Sequence, residues 1–526
     1  MDSPDSESTL PSRIASLVHA HFDGLPPRSK PTVYPDGSRE WIPMAGIVVV
    51  KGENTPSEKL SCVTVTTGAK CLPASQIPKC KGLVLHDWHA EILALRAFNH
   101  WLLSECHVVL AKERQRGASS AADTAGGTPS PFIRWKHTVR STTPTRSSTI
   151  AWPPFELQPD IRIYMYCTCA PCGDASMELC MAAQDDPSPW ETTTPESQAQ
   201  GPDPSPETDL LDGRGYFSRL GIVRRKPARA DAEATRSKSC SDKLALHQVS
   251  SLLSYETSLL VAPTDNAYIA GYILPEEEIS RAGCARCFSE TGRMKPLKGR
   301  FWPESHTPGS DTPHYGYRLR PFEILSVPTE LVHALWTFRK PKPMPELGLP
   351  PLQPAPRKSK PGNVSAVWTA APSLPLPLEG HVVAENGAKA LPVLRGSKTG
   401  LYETIINGVK QGNRAASVTP RGASALSRAK LWAFVRDTVL LCFASGDAAE
   451  GGDAASLLLQ EESLLRLVNA YSYENFKKEP VALTVSVKAR KDAVRDTKEA
   501  LKGWVPNEGD EDWGLDVLID TKKRKR

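Results

Sequence analysis

The 47 prolines of this 526-residue chain gather in Ser-, Thr- and Lys-rich stretches, and those stretches decide which parts can reach a core. Residues 111–150, 184–212, 340–362 and 445–456 hold too little apolar side chain to offset the entropy of ordering them. They read as exposed, disordered insertions, with 340–362 a spacer. Loops lengthen at small cost, so insertions between elements leave one domain as the simplest account. That account runs a leader over 1–40, a domain over 41–515 and a basic tail over 516–526. Hydrophobic residues make up 40% of the chain, enough for a sizeable core.

Outside the insertions, strand and helix patterns alternate. Ile14, Leu17, Val18 and His21 predict a short amphipathic helix over 10–22. Ile47–Val50 and Cys62–Thr66 are β-branched and bounded by polar turns, which predicts a hairpin. Asp87 caps a helix expected to run to about Leu103. Ile161, Ile163 and Met165 alternate with Arg162, Tyr164 and Tyr166 as in a strand, which enters the turn Ala170-Pro171-Cys172-Gly173 and a helix near Ser176–Ala183. A helix over Leu244–Leu253, a strand over Ala267–Leu274, and helices over Leu426–Phe443 and Glu462–Phe476 follow. The alternation predicts an α/β fold, a layered α/β/α core with a mixed sheet extended by C-terminal helices.

Charge and cysteine usage narrow the function. A net charge of +5 permits a polyanionic partner without demanding one. No stretch approaches the ~20 apolar residues of a membrane span. The acidic, polar N-terminus is no secretory signal, so the expected location is cytoplasmic or nuclear. The run Lys522–Arg526 is either a nuclear address or a solvated end. Twelve cysteines without a secretory context read as reduced thiols, some free to bind metal.

Three short motifs carry the chemistry: His89-Ala90-Glu91, Pro171-Cys172-Gly173-Asp174 and Ser239-Cys240-Ser241-Asp242-Lys243. Zinc nucleobase deaminases hold the metal by one histidine and two cysteines, with a glutamate that moves protons without touching it. His89 supplies the nitrogen, Cys172 a thiolate and Glu91 the acid/base. Positions i and i+2 share no helix face, so His89 and Glu91 converge only at the helix entrance, where the Asp87 cap puts them. The usual Pro-Cys-x-x-Cys spacing fails, because position 175 is Ala. The last thiolate therefore comes from Cys240, Cys167, Cys169, Cys180 or the pair Cys284 and Cys287. Each of these reads equally as a buried reduced thiol.

The three motifs in this order, the third as Ser-Cys-Ser-Asp-Lys, resemble the RNA adenosine deaminase (editase) family. AGIVVV, TTGAKCLP, LHDWHAEILALRAF, RRKPARAD, SLLS, SAVWT and GWVPNEGDEDWG carry the resemblance from about Trp41 to Leu515. It implies a cytidine-deaminase-like core and assigns the zinc to His89, Cys172 and Cys240, with Glu91 catalytic. RRKPARAD and KLALHQVSSLLS look like the tRNA-specific branch, particularly its fungal members. That implies conversion of adenosine to inosine at position 37 of the alanine tRNA, with no membrane or DNA partner. An editor of double-stranded RNA and an inactive RNA-binding relative are the alternatives. The roughly 40-residue leader is too short for a separate RNA-binding domain, and Glu91 argues against inactivity.

The resemblance also implies a buried inositol hexakisphosphate, caged by Arg96, Lys243, Lys398, Lys430, Tyr473, Lys477 and Trp504. Asp87 is the relay between that cage and the zinc site. Leu95, Leu246 and His247 depart from the Arg, Arg and Trp of the double-stranded-RNA enzymes, which alters the cage on that side. For RNA, the basic loop of Arg224, Arg225, Lys226 and Arg229 suits phosphates, and Lys70 suits the backbone of the flipped nucleotide.

Overall fold

In a computed structural model of the chain, the described residues are 9–118, 130–136, 152–182, 211–212, 219–226, 233–304, 315–341, 359–374, 400–443, 454–478 and 485–519. Eight strands form the main sheet: β1 (Met44–Lys51), β2 (Lys59–Thr67), β3 (Ile161–Cys167), β4 (Ile269–Pro275), β5 (Glu323–Val327), β6 (Ser365–Thr369), β7 (Tyr402–Ile406) and β8 (Val409–Lys410). Their order across the sheet is β5-β4-β3-β1-β2-β6-β7-β8. β3, β4 and β5 run parallel, while β1 is antiparallel to both β2 and β3. The sheet is thus mixed, as the alternation of elements predicts.

Helices named below are α1 (Leu10–Asp23), α2 (Ala90–Ala118), α3 (Cys240–Ser250), α4 (Arg281–Phe288), α5 (Arg428–Phe443), α6 (Ala454–Val468), α7 (Tyr473–Lys478) and α8 (Val485–Leu501). The period-two alternation of β1 and β3 sorts them into layers. Ile47, Val49, Ile163 and Met165 join one core with residues of α2, α3 and α5. Val48, Val50, Tyr164 and Tyr166 join another with Ile14, Val18 and Phe22 of α1 and with Trp336. The fold is therefore α/β/α, and the helix of the leader covers a face of the sheet.

The insertions begin later and end earlier than composition suggests. α2 runs to Ala118, a full fifteen residues past Leu103. Within 111–150, the island Phe132-Ile133-Arg134-Trp135 carries a strand, Ile133–Trp135, paired with Phe155–Leu157, and Ile133 is 1% exposed. Glu105 of α2 ties this island down through the hydroxyl of Ser130 (3.0 Å). At 340–362, Trp41 and Gly362 exchange backbone bonds with the 360–362 stretch and Trp41 respectively, so the end of the spacer is part of the fold. The expected helix over Glu462–Phe476 is instead two, α6 and α7, broken at Asn469–Ser472. Most of 119–151, 183–210, 342–358 and 444–453, and the run Lys522–Arg526, lies outside the described residues.

Candidate active site

Asp87 begins the site. Its Oδ1 accepts the amide of His89 (3.0 Å), and α2 starts one residue later, so His89 and Glu91 flank the helix entrance as the cap predicts. Cys240 opens α3, which is capped by Ser239 accepting from the Asp242 amide. Cys172 lies in the turn beyond β3, pinned by bonds from the Ser241 amide and hydroxyl to its carbonyl (3.0 and 2.9 Å). Gly173 makes that approach possible: φ is +107°, and a Cβ there would collide with the side chain of Ser239.

These three elements bring His89 Nδ1 to 3.9 Å from Cys172 Sγ and 3.7 Å from Cys240 Sγ. Zn–S bonds of about 2.3 Å and Zn–N bonds of about 2.0–2.1 Å in a tetrahedron separate the donor atoms by roughly 3.5–3.8 Å. The group thus has the size of a three-ligand metal site with a fourth position open. Hydrogen bonding from Cys240 holds the Cys172 thiol well below the ordinary cysteine range, with Lys226 and His89 adding to it.

The competing cysteines do not assemble. Among the described residues, two clusters have metal-ligand spacing, His89-Cys172-Cys240 and Cys80-His86-Asp510. Cys287 on α4 instead donates to Asp174 Oδ2 (3.2 Å), and burial pushes it, Cys167 and Cys169 far up. In the second cluster His86 Nε2 is already bonded to Asp510 (2.9 Å), and Arg428 sits beside both. A dication there would face that guanidinium.

Glu91 is 3% exposed, and its Oε2 has no hydrogen-bond partner among the described residues. Burial raises its pKa, with the Cys172 charge adding to the rise and His89 opposing it. Asp87 is held differently. Burial works against its charge, but Lys226 and Lys243 outweigh burial and keep it well below the usual carboxylate range.

Lys226 corrects the sequence reading. It is 3% exposed, and its ammonium donates to Asp87 Oδ2 (2.8 Å) and Cys240 Sγ (3.4 Å). Arg224 is 0% exposed, with its amide on Asp242 and its guanidinium on the carbonyl of Arg219. Neither reaches a phosphate outside, because buried carboxylates and thiols demand cations more strongly than the surface does. Arg225 is half-buried, Lys70 donates to the exposed Asn363, and Arg229 lies outside the described residues. The signal for Lys226 was charge balance: two cysteines, Asp87 and Glu91 needed a buried cation nearby.

The cage residues converge in part. Arg96, Tyr473 and Lys477 interact with one another's surroundings around Glu256. Trp504 lies under Lys238 and Lys498, 5.6 and 5.8 Å from its ring centre. Lys243 bonds Asp87, beside the metal ligands. Lys430 does not join them. Its ammonium donates to Ala423 O (2.8 Å) and neighbours Lys410 and Glu403. The cation that faces Tyr473 is Arg428, 5.7 Å over its ring. Two residues along a helix turn the side chain by about 200°, so 428 and 430 cannot share a face. Lys398 lies outside the described residues.

A layered mixed sheet that brings a histidine and two cysteines to one point, and keeps a glutamate oxygen uncommitted beside them, defines a hydrolase of the nucleobase-deaminase class. Comparison with known proteins agrees. The adenosine-deaminase (editase) domain matches residues 64–127 and 142–297. A tRNA-specific adenosine deaminase 1 of Schizosaccharomyces pombe is 33% identical over 331 residues, 63% of this chain and 71% of that protein. Its Saccharomyces cerevisiae namesake is 34% identical over 251 residues, 47% of this chain and 55% of that one. A mouse double-stranded RNA-specific editase B2 is 30% identical over 151 residues, 29% of this chain and 15% of that one. The chain belongs to the adenosine-deaminase (editase) family and is an enzyme that deaminates adenosine. Among the described residues, no helix is long and apolar enough to cross a membrane.

Proposed function

We propose that the chain hydrolyses adenosine to inosine and ammonia in tRNA, at position 37 of the alanine tRNA, with zinc held by His89, Cys172 and Cys240. The observation that carries the chemistry is the buried, unpartnered Oε2 of Glu91 beside three donor atoms at zinc spacing. The tRNA substrate rests on the kinship with the two yeast enzymes. When bound, zinc supplies Lewis acidity that lowers the pKa of water from 15.7 to about 7. Glu91 takes the proton from the attacking water, gives it to the purine ring nitrogen, and later protonates the departing amine. Burial, which raises its pKa, suits a group that must both accept and donate a proton. Lys226, itself buried, offsets the charge of Asp87 and of Cys240 as a zinc ligand. Lys70 and Arg225 are left to meet the RNA backbone.

An inositol polyphosphate fits the second half of the chain. Burial, with Arg428 nearby, lowers the pKa of Arg96, and the buried Nε of Arg490 has no hydrogen-bond partner among the described residues. Burial, with Arg490, Arg428 and Lys498 nearby, pushes Lys477 down to about 8 against the pull of Glu256. Burial and Lys243 push Lys238 down to about 7. Cations packed this closely call for a polyanion. Arg96, Arg428, Tyr473, Lys477 and Trp504 would hold it, and Lys243 with Asp87 would tie it to the metal ligands.

The direct test is incubation of purified protein with unmodified alanine tRNA, followed by inosine mapping. Inosine at position 37 is expected; inosine in a duplex RNA control alone would overturn the substrate assignment. The same preparation should contain about one zinc per chain. Cys240→Ala is expected to lose metal and activity together, while Cys284→Ala with Cys287→Ala keeps the metal. Metal lost from the latter and retained by the former would refute the ligand set.

A further inference from the structure

The cation cluster contains one side chain that a polyanion should repel. Glu256 is 6% exposed and sits in the single turn Tyr255–Ser258, whose start is fixed by Ser254 accepting the Thr257 amide. Its Oε1 lies 3.8 Å from Lys477 Nζ and accepts from the Tyr473 hydroxyl (3.5 Å). Burial opposes its charge, but Lys477 leads the groups that outweigh burial, and Arg96 contributes. Lys477 is also clamped 3.9 Å over the ring of Tyr255, the residue before Glu256. One short turn therefore presents a carboxylate and an aromatic face to the same ammonium.

This geometry matters because of what else the cage lacks. His247, near Arg490 and Lys243, adds no charge: burial lowers its pKa to about 4, and its Nδ1 is taken by the carbonyl of Ser251 (2.8 Å). An uncharged imidazole and a buried carboxylate both limit the positive charge available to a ligand. A carboxylate at this distance from the cations that hold a phosphate competes for them, and in an enclosed site that competition is not screened by salt.

We propose that Glu256 is a built-in counter-anion of the cage, sharing Lys477 and Tyr473 with the bound inositol polyphosphate and so setting how loosely that ligand is held. The inference rests on the polyphosphate reading above. With Glu256 present, the cations are partly satisfied before the ligand arrives, and the ligand gains less by binding. Without that charge, the same cations turn wholly to phosphate.

The experiment is ligand exchange on the full-length protein, carrying whatever inositol polyphosphate it acquired in the cell. Native mass spectrometry follows replacement of that ligand by carbon-13-labelled inositol hexakisphosphate, at a guanidinium concentration well below the unfolding midpoint. Glu256→Gln is expected to slow exchange by about ten-fold or more. Glu256→Asp keeps the charge but withdraws it from Lys477 and Tyr473 by one methylene, and is expected to slow exchange by roughly two- to five-fold. Exchange in either variant as fast as in wild type, or faster, overturns the proposal, since a purely structural ion pair would loosen the ligand when broken. Failure of both variants to fold would make Glu256 a folding residue and overturn it too. Wild-type protein with no extractable inositol polyphosphate would instead refute the cage itself, an outcome separate from any difference among variants. Arg428→Ala, expected to lose the ligand where Lys430→Ala keeps it, checks that reading independently.

Discussion

Glu91→Gln is expected to leave the fold and the zinc content unchanged while cutting deamination by about 10²- to 10⁴-fold. The amide is nearly isosteric, so the packing around residue 91 survives. Two properties of this position make the loss large. Its Oε2 has no hydrogen-bond partner among the described residues, so an amide at that atom breaks no contact to the protein. Its burial, which raises the carboxyl pKa, excludes bulk water as a substitute shuttle. Zinc content by atomic emission and turnover by inosine formation would be measured on the same sample. Retention of more than about a tenth of wild-type turnover would show that another group moves the proton. Loss of zinc along with activity would make Glu91 a structural partner of the metal ligands.

The chemistry was more legible in the sequence than its surroundings. Asp87, His89 and Glu91 lie within five residues, so one cap fixes their geometry, and local rules suffice. Cys172 and Cys240 are 68 residues apart, and nothing local joins them. Only the family resemblance chose Cys240 over the nearer thiols, and the fold supplies the reason: α3 begins against the turn that carries Cys172. Lys226 was misread because a run of basic residues looks alike whether it faces solvent or a buried carboxylate. Lys430 was misread for a simpler cause, since helix phase separates it from Arg428 and sequence proximity does not. The same holds for the insertions. Composition averaged over 111–150 hid three residues that pair as a strand, with Ile133 buried.

Lys226→Met should be the most destabilising single change in the site, by about 3–5 kcal/mol, because it leaves a buried carboxylate short of its most deeply buried cation. Lys226 and Asp87 are 3% and 5% exposed at the side chain, so water cannot replace the lost partner. Lys243 also reaches Asp87, but 20% of its side chain is exposed, and solvent can relieve the carboxylate from that side. Lys243→Met is therefore expected to cost less. Methionine fills the space of the lysine stem, so the comparison isolates charge from packing. Pairing Lys226→Met with Asp87→Asn removes both members of the ion pair and should recover part of the loss, a coupling that a double-mutant cycle in urea would measure. When Cys240 ligates zinc as a thiolate, its sulfur, 3.4 Å from the same ammonium, makes recovery incomplete. Lys226→Met and Lys243→Met unfolding at the same urea concentration would mean that Asp87 draws equally on both lysines. In that case burial gives Lys226 no greater hold on Asp87 than Lys243 has, and what distinguishes it is its contact with Cys240, which zinc retention in the variant would show.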